Sequence, residues 1–153
     1  MKKYRVCRHR QAGVGLIEVL VAVLVLSIGF LGVAALQARA LSTNNSAMAR
    51  SMGTIASYSI IDAMRADLSH AKAGNYNVTV TGDACPTATT TLANAQVAQW
   101  CNQLVKTFGK VASTSGIVNC SGAGDCKITI QFDDSRSGKG GDAKQTIVTQ
   151  AML

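Results

Sequence analysis

Proline is almost missing from this 153-residue chain, histidine and aromatic side chains are scarce, and acidic residues are outnumbered by basic ones. The only proline is Pro86, so nothing between Gly13 and Asp67 forbids one uninterrupted helix. Of the two histidines, His9 lies in a basic N-terminal stretch and His70 stands alone, which argues against a general base and fits a solvated helix-end residue. No C-x-x-C spacing occurs among the five cysteines, and without histidine partners zinc is disfavoured. Three Phe, three Tyr and one Trp make only a thin core for a domain this small. The stretch Ser137-Gly138-Lys139-Gly140-Gly141 superficially resembles a phosphate loop. The position that needs the first glycine holds Asp133, and no Ser or Thr follows Lys139, so the stretch is read as a hairpin tip. Asp133, Asp134 and Asp142 lack the spacing of a calcium loop, and the first two read as solvated acids at a strand end. No catalytic, cofactor-binding or metal-ligating set emerges, and no enzymatic activity is expected.

What the chain does have is a long apolar run. From Val14 to Leu36 the only ionisable side chain is Glu18. As a helix rising ~1.5 Å per residue, this segment reaches roughly 35 Å, enough for the ~30 Å hydrocarbon core of a bilayer. A carboxylate within such a run costs about 2.5 kcal/mol or more unless it is shallow, neutralised or paired. If the chain were cut between Gly13 and Val14, the new amino group would lie four residues before Glu18, on the same helical face. Glu18 would also complement the positive end of the helix dipole. The competing reading is an interfacial glutamate reaching up to the headgroups.

Gly13 followed by Val14-Gly15-Leu16-Ile17-Glu18 resembles the class III signal of type IV prepilins: a basic leader, cleavage after glycine, an apolar mature start and glutamate as its fifth residue. Val14 departs from the phenylalanine commonest there. The continuation through Val19-Leu20-Val21-Ala22, Leu26-Ser27-Ile28-Gly29-Phe30-Leu31-Gly32 and Leu36-Gln37 is similar to minor pilins of the PilV type, the type IV pilus modification family. Unlike major pilins, this helix has no proline. The resemblance covers about residues 8 to 41. It implies cleavage by prepilin peptidase between Gly13 and Val14, N-methylation of Val14, and a role for Glu18 in pairing with an N-terminal amine, its own or a neighbour's, during assembly. It further implies inner-membrane lipid as the first environment and other major and minor pilins as partners, in a filament that supports twitching motility and adhesion. An α+β pilin-like fold follows, with a long N-terminal helix packed on a small antiparallel sheet.

Charge agrees with that layout. Lys2, Lys3, Arg5, Arg8 and Arg10 supply five of the 15 basic residues, and without them ten remain against eight acidic ones, so the net charge falls from +7 to +2. The basicity belongs to a leader and is no footprint for nucleic acid. The same asymmetry predicts a cytoplasmic N-terminus and a periplasmic head. A secretory signal cut near Ala38-Arg39-Ala40 is the rival, but the apolar run is about twice the usual 7 to 15 residue core of such signals.

Four regions follow: a leader over 1–13, a membrane or filament-core helix over 14–36, an amphipathic continuation over 37–71 and a head over 72–153. In the continuation, Leu41, Met48, Met52 and Ile55 share one helical face, while Asn44, Asn45 and Arg50 fall elsewhere. Ile61, Met64 and Leu68 fall on a rotated face, which predicts a kink or a change of packing partner near residues 53 to 59. Gly29 and Gly32 fit either close packing or local loosening of the helix. In the head, 76–81, 117–118, 128–132 and 146–151 read as strands, and 97–108 as a helix stopped by Gly109. Cys7 leaves with the leader. The remaining Cys85, Cys101, Cys120 and Cys126 suggest two disulfides in an oxidising compartment. Of three connectivities we favour Cys85 to Cys101 and Cys120 to Cys126, the latter flanking a tight loop. A type II secretion pseudopilin, or an unprocessed single-pass membrane protein with a periplasmic head, are the alternative readings.

Overall fold

The computed structural model describes residues 13, 15–87, 89–135 and 141–153. The basic leader, Val14 with its cleavage and methylation, and residues 136–140 of the glycine-rich stretch lie outside the described residues. The elements in order are α1 (Leu16–Ala66), α2 (Leu68–Lys72), β1 (Val78–Thr81), α3 (Leu92–Phe108), β2 (Ser115–Cys120), β3 (Asp125–Phe132) and β4 (Gln145–Met152). The chain divides into two compact units, Met1–Ala38 and Arg39–Leu153. In the first, α1 is apolar on all sides, and every described residue from Gly15 to Ala38 is exposed.

The second unit is an α+β head: a four-stranded, wholly antiparallel sheet in the order β1-β2-β3-β4, with the rest of α1 packed on it. Strand alternation sorts its side chains. Val80, Val118, Cys120, Cys126, Ile128, Ile130 and Phe132 turn inward and are buried. They meet Ala56, Ile60, Ile61 and Met64 of α1 and Val97, Trp100, Cys101 and Leu104 of α3. Burying an aliphatic side chain of this size is worth about 1.5–3 kcal/mol, so these three elements carry most of the head's stability.

α1 runs unbroken past residues 53 to 59, and of the two expectations for that region the change of packing partner is the one the burial pattern agrees with. Leu41, Met48, Met52 and Ile55 are exposed, while Ser46, Gly53, Ala56 and Ser57 are buried and lead into Ile60, Ile61 and Met64. A Cβ on Gly53 would meet the movable tip of Ile147, so the helix passes close to β4 there. The helix breaks at Asp67, and α2 carries on to Lys72 before Gly74, at φ 82°, turns the chain toward β1.

α3 starts at Leu92 because the Thr91 hydroxyl accepts from the Asn94 N–H at 3.2 Å, and it stops at Gly109, φ 103°, whose N–H donates to the Val105 carbonyl at 2.9 Å. Trp100 joins three elements. Its ring lies where a Cβ on Gly116 of β2 would stand, and its Nε1–H donates to the Ala56 carbonyl of α1 at 2.9 Å. Phe108 stacks on Phe132 with ring centroids 4.2 Å apart.

The expected solvated acid pair is corrected in one member. Asp134 is buried, and its carboxylate accepts the Ser46 hydroxyl of α1, while Arg50 donates to Gln145 at 3.1 Å. The loop from β3 to β4 is thus tied to the helix, and the Asp134 N–H donates to the Asp142 carbonyl at 2.9 Å across its base. Two disulfides close the head, Cys85–Cys101 and Cys120–Cys126, the second joining residues directly opposite in β2 and β3. Holding a loop of 15 or so residues shut is worth roughly 3 kcal/mol in the chain-entropy view.

Gly116→Ala should push a methyl group into the Trp100 ring and cost about 1–3 kcal/mol. A lower denaturant midpoint, read from the fluorescence of the chain's single tryptophan, is the expected outcome; an unchanged midpoint would show that the ring is not held there.

Candidate functional site

The candidate site is the start of α1. Its backbone turns into the helix at Gly15, whose carbonyl accepts from the Glu18 and Val19 N–H groups at 2.9 and 3.3 Å. Glu18 therefore sits in the first turn, where the helix's unpaired N–H groups and dipole favour an anion. Its side chain is exposed, as are Leu16 and Ile17 at 80% and 71%. Gly13 and Gly15 are likewise exposed, with open space around Gly13. α1 is long and apolar enough to cross a membrane, and its most apolar 18-residue window has no buried residue. Water penalises an exposed apolar surface of this kind at about 25 cal/mol per Å².

Elsewhere the described residues hold one cluster of titratable groups. The Asp67 carboxylate, at the break after α1, accepts from His70 Nδ1 at 2.6 Å and from the Tyr76 hydroxyl at 3.1 Å, and that hydroxyl also contacts the Gln96 carboxamide of α3. Burial, then the Asp67 hydrogen bond and charge, push the Tyr76 phenol from its ordinary 10.0 up to about 12. The cluster ties the α1–α2 break to α3, a structural role. His70, expected to be solvated at a helix end, is exposed there but bound to Asp67. Among the described residues no three His, Cys, Asp or Glu side chains gather as a metal site. An open depression of about 620 Å³ on the outer sheet face, lined by Asn119, Asp125, Lys127, Gln150 and Met152, has a polar, exposed rim.

Residues 8–34 match the family model described as the prokaryotic N-terminal methylation motif. The chain carries a prepilin-type N-terminus. Such a motif supports a type IV pilin- or pseudopilin-like protein, with processing by prepilin peptidase and assembly with other pilins. No curated protein and no solved structure matches the chain. The motif takes in residues 8–13, Val14, Glu18 and most of the apolar segment, and together with that helix it fits a membrane-anchored pilin.

Sequence reasoning missed three polar contacts that shape the head. The Asn77 side chain both donates to the Cys120 carbonyl at 3.0 Å and accepts from the Cys120 N–H at 2.7 Å, standing in for a strand residue. Ser46 with Asp134, and Trp100 with the Ala56 carbonyl, are the others. Only the Trp100 contact had a readable signal, a lone large indole that needs a partner when buried.

Because the folded state favours the neutral Tyr76 phenol, its contribution is complete below the ordinary tyrosine value and is lost as pH rises from about 10 through about 12. Denaturant midpoints across that window should fall more steeply for the native chain than for Tyr76→Phe; parallel declines would exclude the coupling.

Proposed function

We propose that this chain is a minor pilin of the type IV pilus, of the PilV type, made as an inner-membrane precursor with a periplasmic head and then moved into the filament. The observation that carries the reading is the prepilin motif running directly into a helix long and apolar enough to cross a membrane. Prepilin peptidase cuts after Gly13, and the freed amine of Val14 is methylated. Glu18 then meets an N-terminal amine, its own or a neighbour's, as the helix leaves lipid for the filament core, where a paired carboxylate is tolerated. Apolar contacts along 14–36 supply the association energy, and Glu18 sets register. The exposed line of Leu41, Met48, Met52 and Ile55 carries that apolar surface beyond residue 38, which suits packing among neighbouring pilin helices. Other minor pilins are the partners, in a complex that primes or caps the filament and so supports pilus biogenesis, twitching motility and adhesion. The role is assembly, without catalysis and without a cofactor.

Mass spectrometry of sheared surface filaments should find a peptide beginning at methylated Val14. Retention of residues 1–13 in cells with active prepilin peptidase would defeat the reading, and co-fractionation with a secretion apparatus in place of pili would transfer it to a pseudopilin.

Glu18→Val should still insert and be cleaved, yet be lost from filaments by an order of magnitude or so, as removal of a paired charge worth ~1.4 kcal/mol or more implies. Immunoblots of pilus and membrane fractions distinguish this from normal incorporation, which would remove the role given to the carboxylate.

A further inference from the structure

The edges of the sheet are unlike those of most soluble domains. Among the described residues β4 pairs only with β3, and β1 only with β2. Natural edge strands are usually blunted by charge, proline or a bulge. β4, Gln-Thr-Ile-Val-Thr-Gln-Ala-Met, has none of these and pairs with β3 residue for residue over its full length.

The ladder says which backbone groups this edge offers. In an antiparallel pair, a residue's N–H and C=O point to the same side, and the side alternates along the strand. Cys120 exchanges both of its backbone groups with the Asn77 side chain, on the β1 side of β2, so Asn119 and Ile117 point theirs at β3. Carried through the register, Gln145, Ile147, Thr149 and Ala151 bond to β3, whereas Thr146, Val148, Gln150 and Met152 turn their N–H and C=O outward. The same alternation on β1 turns Thr79 and Thr81 outward. The Thr81 carbonyl already accepts from Ala84, which leaves Thr79 with both groups to offer.

We propose that β4 pairs with β1 of a second copy of this chain, so that the sheet continues from one head into the next. Four features favour this occupant. With four antiparallel strands, β1 and β4 run in opposite directions, so two copies in the same orientation bring their edges together as an antiparallel pair. Pairing β4 with its own counterpart would instead reverse α1, which lies against β4 at the Arg50–Gln145 bond and the Gly53–Ile147 contact. In the proposed membrane-anchored assembly the copies of α1 are parallel, and the proposal rests on that reading. The pleats also agree, because the outward-bonding residues of both strands place their side chains on the outer face, so no face is inverted at the junction. Finally, the outer row already reads Thr79, Ile117, Thr129, Val148 across the sheet, and Thr79 of the second copy beside Val148 continues its alternation. That register sets the second copy's Val80 against Ile147, which is half-buried where inward positions of β2 and β3 are fully covered. Such a contact is head-to-tail and does not close on itself.

The test uses the uncleaved full chain in phosphatidylethanolamine–phosphatidylglycerol vesicles, so it does not depend on processing or on filaments. Thr79 is replaced by p-benzoylphenylalanine, unlabelled and ¹⁵N-labelled copies are mixed, and adducts are mapped by mass spectrometry after irradiation. Adducts between copies that land on residues 146–150 are expected. Val148→Pro, which removes an outward N–H and leaves the β3 ladder intact, should reduce them about fivefold or more, in line with the loss of one or two hydrogen bonds. Thr146→Lys should reduce them as well, as charge at an edge does, which keeps the test informative if the proline variant misfolds. Trp100 fluorescence checks that each variant is folded. Adducts confined within one copy, adducts elsewhere on the partner, or intermolecular yields unchanged in folded edge variants would each overturn the proposal. A chain that fails the methylated-Val14 test yet gives these adducts would lose the pilin role and keep the edge contact.

Discussion

Everything in the head depends on how closely α1 can approach the sheet. The helix meets β4 through Gly53 and the α3 indole through the Ala56 carbonyl, and Ser57 lies fully buried between the two. Small side chains make the approach possible, and only past them does the interface widen enough for Ile60, Ile61 and Met64. Trp100 fills the space that Gly116 leaves in the sheet, so the two glycines act as a pair, one admitting the helix and the other admitting the ring. An added methyl group is costly at Gly116, where it meets the Trp100 ring, and cheaper at Gly53, where the flexible tip of Ile147 can move.

This explains what could and could not be read in advance. The apolar run, its single carboxylate and the glycine-glutamate spacing are local signals, and the prepilin-type motif over residues 8–34 agrees with them. Strand alternation placed β3 and β4 to within a few residues, and the disulfide pairs present are those that loop spacing favoured. The face of α1 that meets the head was not legible, because hydrophobic periodicity assumes that the largest apolar residues face the core. Here Leu41, Met48, Met52 and Ile55 face out and the core side begins with serine, glycine and alanine, a choice dictated by distance and invisible to hydropathy.

The polar errors have a related origin. Asp134 looked like a solvated acid because nothing local distinguishes it from Asp133; its partner, Ser46, is 88 residues away. Asn77 looked like a strand residue and acts as one, but through its side chain, so β1 begins two residues later than the alternation implied. Long-range polar pairs of this kind specify where a loop docks, and one sequence carries little trace of them.

The outward line on α1 has a chemical consequence of its own. Two of its members, Met48 and Met52, are thioethers that are 58% and 43% exposed, within reach of peroxides. Conversion to the sulfoxide would make a greasy strip polar while leaving the buried Met64 and the head's interior untouched. Oxidation of the free chain would thus fall on this outer strip first, and methionine sulfoxide reductase activity would reverse it.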